Sequence, residues 1–425
     1  MSARSISSRR MRIALVSQEY PPETARGGIG TQTHAKAHAL AEFGHEVFVL
    51  SHSADATRRE YRDGAVNVIR IPGGDPGRLV NTLEAWWLMY SSAVAVALEG
   101  LHQQFPLDLV DCPEYGGEGF AWLVNRPQAD RVPTVIQLHG PLVMLAETIA
   151  WPETDSELYR IGTFMEGTCL RLADGVFSSS ACSAEWCARK YGLRRQGIDV
   201  IHTGIDLEHF SPRSVPKDER PTIVFVGRVA GSKGVAVLVE AALRLVATIP
   251  ELRLRLIGRG EPDFCARIVA RAASSGHPDL VELVGFVSQN DLPVHLSRAH
   301  VFAAPSLYEG GPGFVYLEAM ACGLPVIACS GSGAAEVVVA GENGLLVPPD
   351  DAHALAQALD RLLGDAALRE RMSARARQFV VDHADTRECL RRIEAFYRSV
   401  VASAGRSTPV LRSGGPSNAT GWVDQ

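Results

Sequence analysis

The sequence predicts an α/β protein made of two Rossmann-like, doubly wound domains that face each other across a cleft. Three observations carry this. A chain of 425 residues is longer than one hydrophobic core ordinarily serves. Its first fifty residues run strand, glycine-rich loop, helix, strand. The same pattern restarts after the proline- and charge-rich stretch "DLEHFSPRSVPKDERP" at 206–221.

The elements follow in chain order. "RIALVSQ" (12–18) is a short apolar run that ends in polar residues. After it, "EYPPETARGGIGTQTHAKAHALAEFGHEVFVLSH" holds a glycine-rich loop, apolar positions at helical spacing, a stop at Gly44 and a second strand, which is a parallel βαβ unit. "LDLVDC" (107–112), "TVIQLHG" (134–140), "GVFSSS" (175–180) and "IDVIHTG" (198–204) continue as buried-strand candidates. Each ends in polar or glycine residues, where a parallel sheet carries its ligand loops. Beyond the linker, "TIVFVGRVAGSKGVAVLVEAALRLV" opens the second unit, and "LRLRLIGRG", "VELVGFV", "VFAAPS", "PVIACSG" and "GLLVPP" supply five more strands. The expected organisation is a disordered leader over 1–10, a first Rossmann-like domain over 11–208, a linker over 209–220 and a second Rossmann-like domain over 221–385. A helix over 386–402 is expected to cross back to the first domain, before a disordered Ser-, Gly- and Pro-rich tail over 403–425.

Composition narrows the function classes. With 42 basic against 48 acidic residues and a net charge of −6, no global basic field marks a nucleic-acid partner. Eight scattered cysteines, with no Cys-x-x-Cys and no Cys/His pairing at zinc spacing, read as reduced, buried thiols of a cytoplasmic protein. The basic lead has too short an apolar stretch, and no cleavage site, for a signal peptide. "AWWLMYSSAVAVALEGL" (85–101) carries Ser91, Ser92 and Glu99 and falls short of the ~20 residues of a spanning helix. Its Trp86 and Trp87 leave three roles open: core packing, an acceptor groove, or peripheral contact with a membrane surface.

The chemistry gathers where two such sheets would meet, the default ligand site of paired doubly wound domains. In "FVGRVAGSKG", Arg228 directly follows a strand and Lys233 precedes a helix; two cations beside a glycine turn can neutralise a diphosphate. In "YEGGPGFVYLEAM", the glycines cannot form helix whereas "FVYLEAMACG" can. A helix starting near Gly313 would aim the N–H groups of Gly313, Phe314 and Val315 into the cleft. Glu318, inside that helix, is placed to accept hydrogen bonds from two sugar hydroxyls. Glu309 either contacts the transferred group or holds the loop by accepting backbone N–H groups. Gly27 and Gly28 lie in a loop too long for a dinucleotide fingerprint, with Thr33 where the third glycine should stand, which argues against a nicotinamide dehydrogenase. His139 ends a strand at the same opening, ahead of the Gly140–Pro141 turn.

Four blocks carry a family resemblance in the right order: "PPETARGGIG" (21–30), "IHTGIDLEHFSP" (201–212), "GRVAGSKG" (227–234) and "EGGPGFVYLEAMACGLPVIA" (309–328). Over about residues 12–400 the chain resembles the GT-B glycosyltransferases of the large retaining family 4. The resemblance implies a hexosyltransferase-type enzyme that uses a nucleotide diphosphate sugar, of UDP or GDP type, and needs no other cofactor. It implies that Arg228 and Lys233 hold the diphosphate, Glu318 the ribose, and Glu309 a place near the donor sugar or its phosphate. His139 would contact the donor sugar, while Gly27 and Gly28 would approach phosphate and acceptor. No Asp-x-Asp occurs in the chain, so no metal ligands are assigned. The acceptor is left as a saccharide, a lipid-linked saccharide or a small molecule, with "ARGGIG", "PEYGGEG" (113–119) and the Trp86–Trp87 helix as contributors. A nucleotide-sugar epimerase on the same fold and a non-catalytic sugar-nucleotide-binding protein are the competing readings. The chain departs from the family in one place: "EGGPGF" stands for "EGFG" and puts one extra residue between Glu309 and Glu318. Either that residue loops out and Glu309 keeps its place, or backbone at Gly310 or Gly311 replaces it.

Overall fold

The computed structural model describes residues 9–24, 27–55, 57–73, 85–127 and 131–404. The expected leader and tail fall outside them, apart from residues 9, 10, 403 and 404. The first sheet is built from β1 (Arg12–Val16), β2 (Glu46–His52), β3 (Arg59–Asp63), β4 (Val66–Ile71), β5 (Leu109–Pro113), β6 (Thr134–Leu138), β7 (Gly175–Ser178) and β8 (Ile198–Val200). Its helices are α1 (Gly28–Glu42), α2 (Ala85–Gln104), α3 (Phe120–Asn125), α4 (Leu142–Ile149), α5 (Glu157–Leu172) and α6 (Ala181–Tyr191). The strand order is β3-β4-β2-β1-β5-β6-β7-β8, parallel throughout except for the antiparallel β3–β4 pair.

The β3–β4 hairpin is absent from the sequence-based expectation. β3 reads "REYRD", charged at four of five positions and largely exposed. It sits at the sheet edge, where charge protects against further pairing, and so it resembles a polar loop in sequence.

The second sheet holds β9 (Thr222–Val226), β10 (Arg253–Ile257), β11 (Val281–Gly285), β12 (Val301–Ala304), β13 (Val326–Cys329) and β14 (Gly344–Val347) in the order β11-β10-β9-β12-β13-β14. Around it lie α7 (Val235–Leu245), α8 (Pro262–Ser274), α9 (Leu292–Arg298), α10 (Phe314–Ala321), α11 (Ala352–Gly364) and α12 (Ala366–His383). Strand order reverses between β1 and β5 in one sheet and between β9 and β12 in the other, so each sheet opens a crevice at its strand C-termini.

The final helix, α13 (Thr386–Ala404), returns to the first sheet. Its Leu390, Ile393, Tyr397 and Val400 are buried with Ile13, Val135 and Phe177. Tyr397 donates its hydroxyl to Asp111, which also accepts the buried Lys36 ammonium. All eight cysteines are free thiols, Cys182 and Cys187 included. Trp86 stacks on Tyr90 with ring centroids 5.1 Å apart, and Trp87 packs edge-on against Tyr115 at 5.4 Å. Both tryptophans pack against aromatic rings of the first domain. No helix among the described residues is long and apolar enough to cross a membrane.

Candidate active site

The two crevices merge into one cleft of about 1010 Å³. The residues expected to bind the donor and act on it all line it: Gly27, Gly28 and His139 on the first domain's wall, Arg228, Lys233, Glu309, Gly313, Phe314, Val315 and Glu318 on the second's. Gly28 faces Phe314 so closely that a Cβ there would lie 3.8 Å from the Phe314 ring.

The cations come from the loop after β9. Arg228 is exposed and has no ion-pair or hydrogen-bond partner among the described residues. Lys233 closes a single 3₁₀ turn, Gly231–Lys233, immediately before α7. Its ammonium stands 2.7 Å from Oε1 of Glu309. Neither reading left open for Glu309, contact with a transferred group or acceptance of backbone N–H groups, anticipated this ion pair. The residue's backbone carbonyl, not its carboxylate, takes the N–H of Gly333 at 2.9 Å.

The glycines that follow answer why the loop needs them. Gly310 passes so near the first domain that a Cβ would meet the His139 carbonyl at 2.3 Å. Its own carbonyl accepts the Ser180 hydroxyl at 2.5 Å and the Ser183 hydroxyl as well. Gly313 sits at φ 72°, a left-handed conformation that glycine adopts without strain, and forms the N-cap of α10 with no side chain to cover the helix end. The first N–H groups of α10 are thus presented to the cleft. In this seam Glu309 lines the cleft and the Gly310 carbonyl turns to the opposite domain.

Glu318 lies one turn deeper, 5% exposed, with the Gln289 side chain as its hydrogen-bonding neighbour. Burial pushes its carboxyl up to about 7, against a weaker opposing effect from Gln289. Beyond it, the Arg259 guanidinium stacks over Phe286 at 5.3 Å, and Ile257, Gly258, Val287 and Gln289 complete that end of the cleft.

Across the cleft, burial and then the Lys36 charge push His139 down to about 3, so the imidazole is neutral at ordinary pH. Its backbone is clamped: Glu114 accepts the His139 N–H at 2.7 and 2.8 Å and the Gly140 N–H at 2.6 Å. Burial raises Glu114 to about 7 despite these bonds. The role of Glu114 was not read from the sequence. Its position in "CPEYGGEG", directly after β5, was the available signal. Tyr308 was also missed; its hydroxyl is buried beside Gly140 without a hydrogen-bond partner among the described residues.

The domains are pinned together by Glu336. It accepts the N–H groups of Ala181 and Cys182, at the start of α6, at 2.9 and 2.7 Å, and pairs with His202 Nε2 at 3.1 Å.

Two facing Rossmann-like domains, each opening its ligand crevice onto one shared cleft, are the architecture of the GT-B glycosyltransferases. A sucrose-phosphate synthase from Thermosynechococcus elongatus superposes with a TM-score of 0.79 at 26% identity, over 93% of this chain and all of that one. Residues 27–204 match the glycosyl transferase 4-like domain, and residues 208–379 match glycosyl transferases group 1. The chain is 31% identical over 388 residues to the alpha-maltose-1-phosphate synthase of Mycolicibacterium smegmatis, covering 84% of this chain and 90% of that protein. It is 29% identical over 391 residues to a glycogen synthase of Mycobacterium tuberculosis, covering 87% and 90%. The chain belongs to the group 1 glycosyltransferases and is a transferase of glycosyl groups.

Proposed function

We propose that the enzyme moves a sugar, with retention of anomeric configuration and without a required metal, from a nucleoside diphosphate sugar to an acceptor hydroxyl. The observation that carries this reading is the convergence of Arg228, Lys233 and the open start of α10 on one wall of a cleft whose other wall holds a neutral His139. Breaking the bond between sugar and phosphate builds negative charge on the diphosphate and positive charge on the sugar. Two fixed cations and a helix start at the diphosphate lower that barrier.

In this reading Arg228 and Lys233 hold the diphosphate, and the ribose hydroxyls donate to Glu318. The nucleobase lies toward Phe286, against the backbone of 257–259. A bound diphosphate competes with Glu309 for Lys233 and frees the Glu309 carboxylate to face the donor sugar. His139 contacts that sugar from the other side, and the acceptor enters past Gly27, Gly28 and Tyr115. A saccharide, a lipid-linked saccharide and a small molecule all remain acceptor classes for this wall, and a cytoplasmic location with or without peripheral membrane contact suits each.

A thermal-shift panel of UDP-, GDP-, ADP- and dTDP-sugars tests the donor, since a ligand of the native state raises the midpoint with its affinity. Proton NMR of the product formed with chelator present reads both anomeric outcome and metal need. Inversion, or full loss of turnover on chelation, overturns the finer reading. Interconversion of the donor without an acceptor would make the chain an epimerase. Donor binding without any turnover across an acceptor panel would make it a binding protein.

A further inference from the structure

His34 and His38 are one turn apart on α1 and so share a helix face. Both imidazoles aim Nε2 at the same oxygen of Asp63, the last residue of β3: His38 at 3.0 Å and His34 at 3.4 Å from Oδ2. Their ring centroids are 4.3 Å apart. The Tyr20 hydroxyl donates to that oxygen at 2.8 Å. Each of the three residues offers one ligand atom, and these atoms lie within 4.8 Å of one another, partly open to solvent. None of them lines the interdomain cleft.

We propose that His34, His38 and Asp63 form a binding site for a divalent transition ion of the zinc class, unrelated to sugar transfer. Two imidazole nitrogens and one carboxylate oxygen are the donor set that suits such an ion, with a water as fourth ligand. The spacing fits as well. With metal–ligand distances of about 2.0–2.1 Å, tetrahedral ligand atoms stand about 3.3 Å from one another, close to the 3.0 and 3.4 Å observed. Two histidines at i and i+4 on a helix are a recurrent chelating pair. Tyr20 then serves as the outer hydrogen bond that orients the ligating carboxylate.

The alternative is that Asp63 simply accepts three hydrogen bonds, which needs no ion. Two features favour the metal. Both nitrogens converge on one oxygen rather than spreading over the carboxylate. The site also ties together two separate elements, the helix whose start faces the cleft and the end of β3 at the turn of the β3–β4 hairpin. Sequence spacing shows the histidine pair but not the aspartate, because the third ligand comes from a hairpin 25 residues on.

The experiment uses the untagged full chain, stripped by chelator and titrated with Zn²⁺ by calorimetry, then with Co²⁺ by visible absorption. One ion per chain is expected, with the intense d–d bands of a four-coordinate cobalt site and a zinc-dependent rise of the melting midpoint. His38→Gln and Asp63→Asn are each expected to weaken binding by at least about tenfold, since even losing a supporting outer partner does so. Melting both variants without zinc separates loss of a ligand from loss of the fold. Absence of binding by the parent overturns the proposal. So does unchanged binding by folded His38→Gln and Asp63→Asn, which would put the ion elsewhere.

Discussion

The Lys233 ammonium and the Glu309 carboxylate stand 2.7 Å apart at the mouth of the phosphate-facing wall, 26% and 15% exposed. A partly solvated pair of this kind contributes only about 0–1 kcal/mol to folding. Its importance lies in the charge it keeps ready. Lys233→Ala is expected to leave the melting midpoint within a degree or two and to lower kcat by about 10²–10³-fold, the usual effect of removing one charge-stabilising donor. Glu309→Gln releases Lys233 and is expected to tighten binding of the nucleoside diphosphate product, measured by calorimetry. An unchanged kcat in Lys233→Ala would remove that residue from the reaction.

Glu318 gives a pH prediction with a defined sign. Its carboxyl is pushed up to about 7 by burial, and it accepts sugar hydroxyls fully only when ionised. Donor KM is therefore expected to fall as pH rises through about 7, and Glu318→Gln to abolish the trend. Stability runs the other way. Below about 7 the folded chain keeps a proton that the unfolded chain releases near its lower, ordinary value, so stability falls with rising pH between the two and levels off above the folded value. Glu114, also raised to about 7, adds to the same slope. His139 opposes that slope: its folded value near 3 lies below the ordinary 6.5, so the unfolded chain binds a proton that the folded imidazole does not, and its contribution to stability rises with pH up to about 6.5. A donor KM that is flat over this range counts against Glu318 as the ribose acceptor.

How far these features could be read from sequence depends on how local they are. The start of α10 was legible because Gly313 and the "FVYLEAMACG" run specify a helix end within a few residues. The clustering of Arg228, Lys233 and Glu318 followed from where parallel strands end. The Lys233–Glu309 pair was not legible, since 76 residues separate the partners and the extra glycine obscured the register. The Ser180–Gly310 seam joins residues 130 apart across two domains, and no local pattern encodes it. The β3–β4 hairpin was hidden by its exposed, charged edge strand. With it went Asp63, the residue that turns two helix histidines into a candidate metal site.

Glu114 acts through His139 and Gly140, as a positioning residue. Its carboxylate takes both N–H groups at 2.6–2.8 Å. Glu114→Ala is expected to destabilise the fold by about 1–3 kcal/mol, because two buried N–H groups lose their acceptor. Glu114→Gln keeps one acceptor oxygen and is expected to recover most of that stability while kcat stays about tenfold low, a loss of orientation without loss of fold. A merely structural role predicts instead that kcat recovers along with the melting midpoint.

Glu336 supplies the other interdomain test. From the opposite domain it accepts the first N–H groups of α6, those of Ala181 and Cys182, and it pairs with His202. Burial alone would raise its carboxyl, but the hydrogen bonds from His202, Cys182 and Ala181 outweigh burial and hold it below the usual value. The stabilisation is therefore present above the ordinary carboxylate range and is lost as pH falls through the depressed folded value. Glu336→Ala leaves the N–H groups of Ala181 and Cys182 without their acceptor, while the Ser180 hydroxyl still caps the helix through Ser183, and is expected to lower stability by about 1–3 kcal/mol. Because the bonds cross the cleft, the variant is also expected to open: small-angle scattering should give a larger radius of gyration than the parent at neutral pH. The parent should approach that radius as the solution is acidified. A loss of stability with no change in radius would make Glu336 a local support of the α6 start that does not control the distance between the domains.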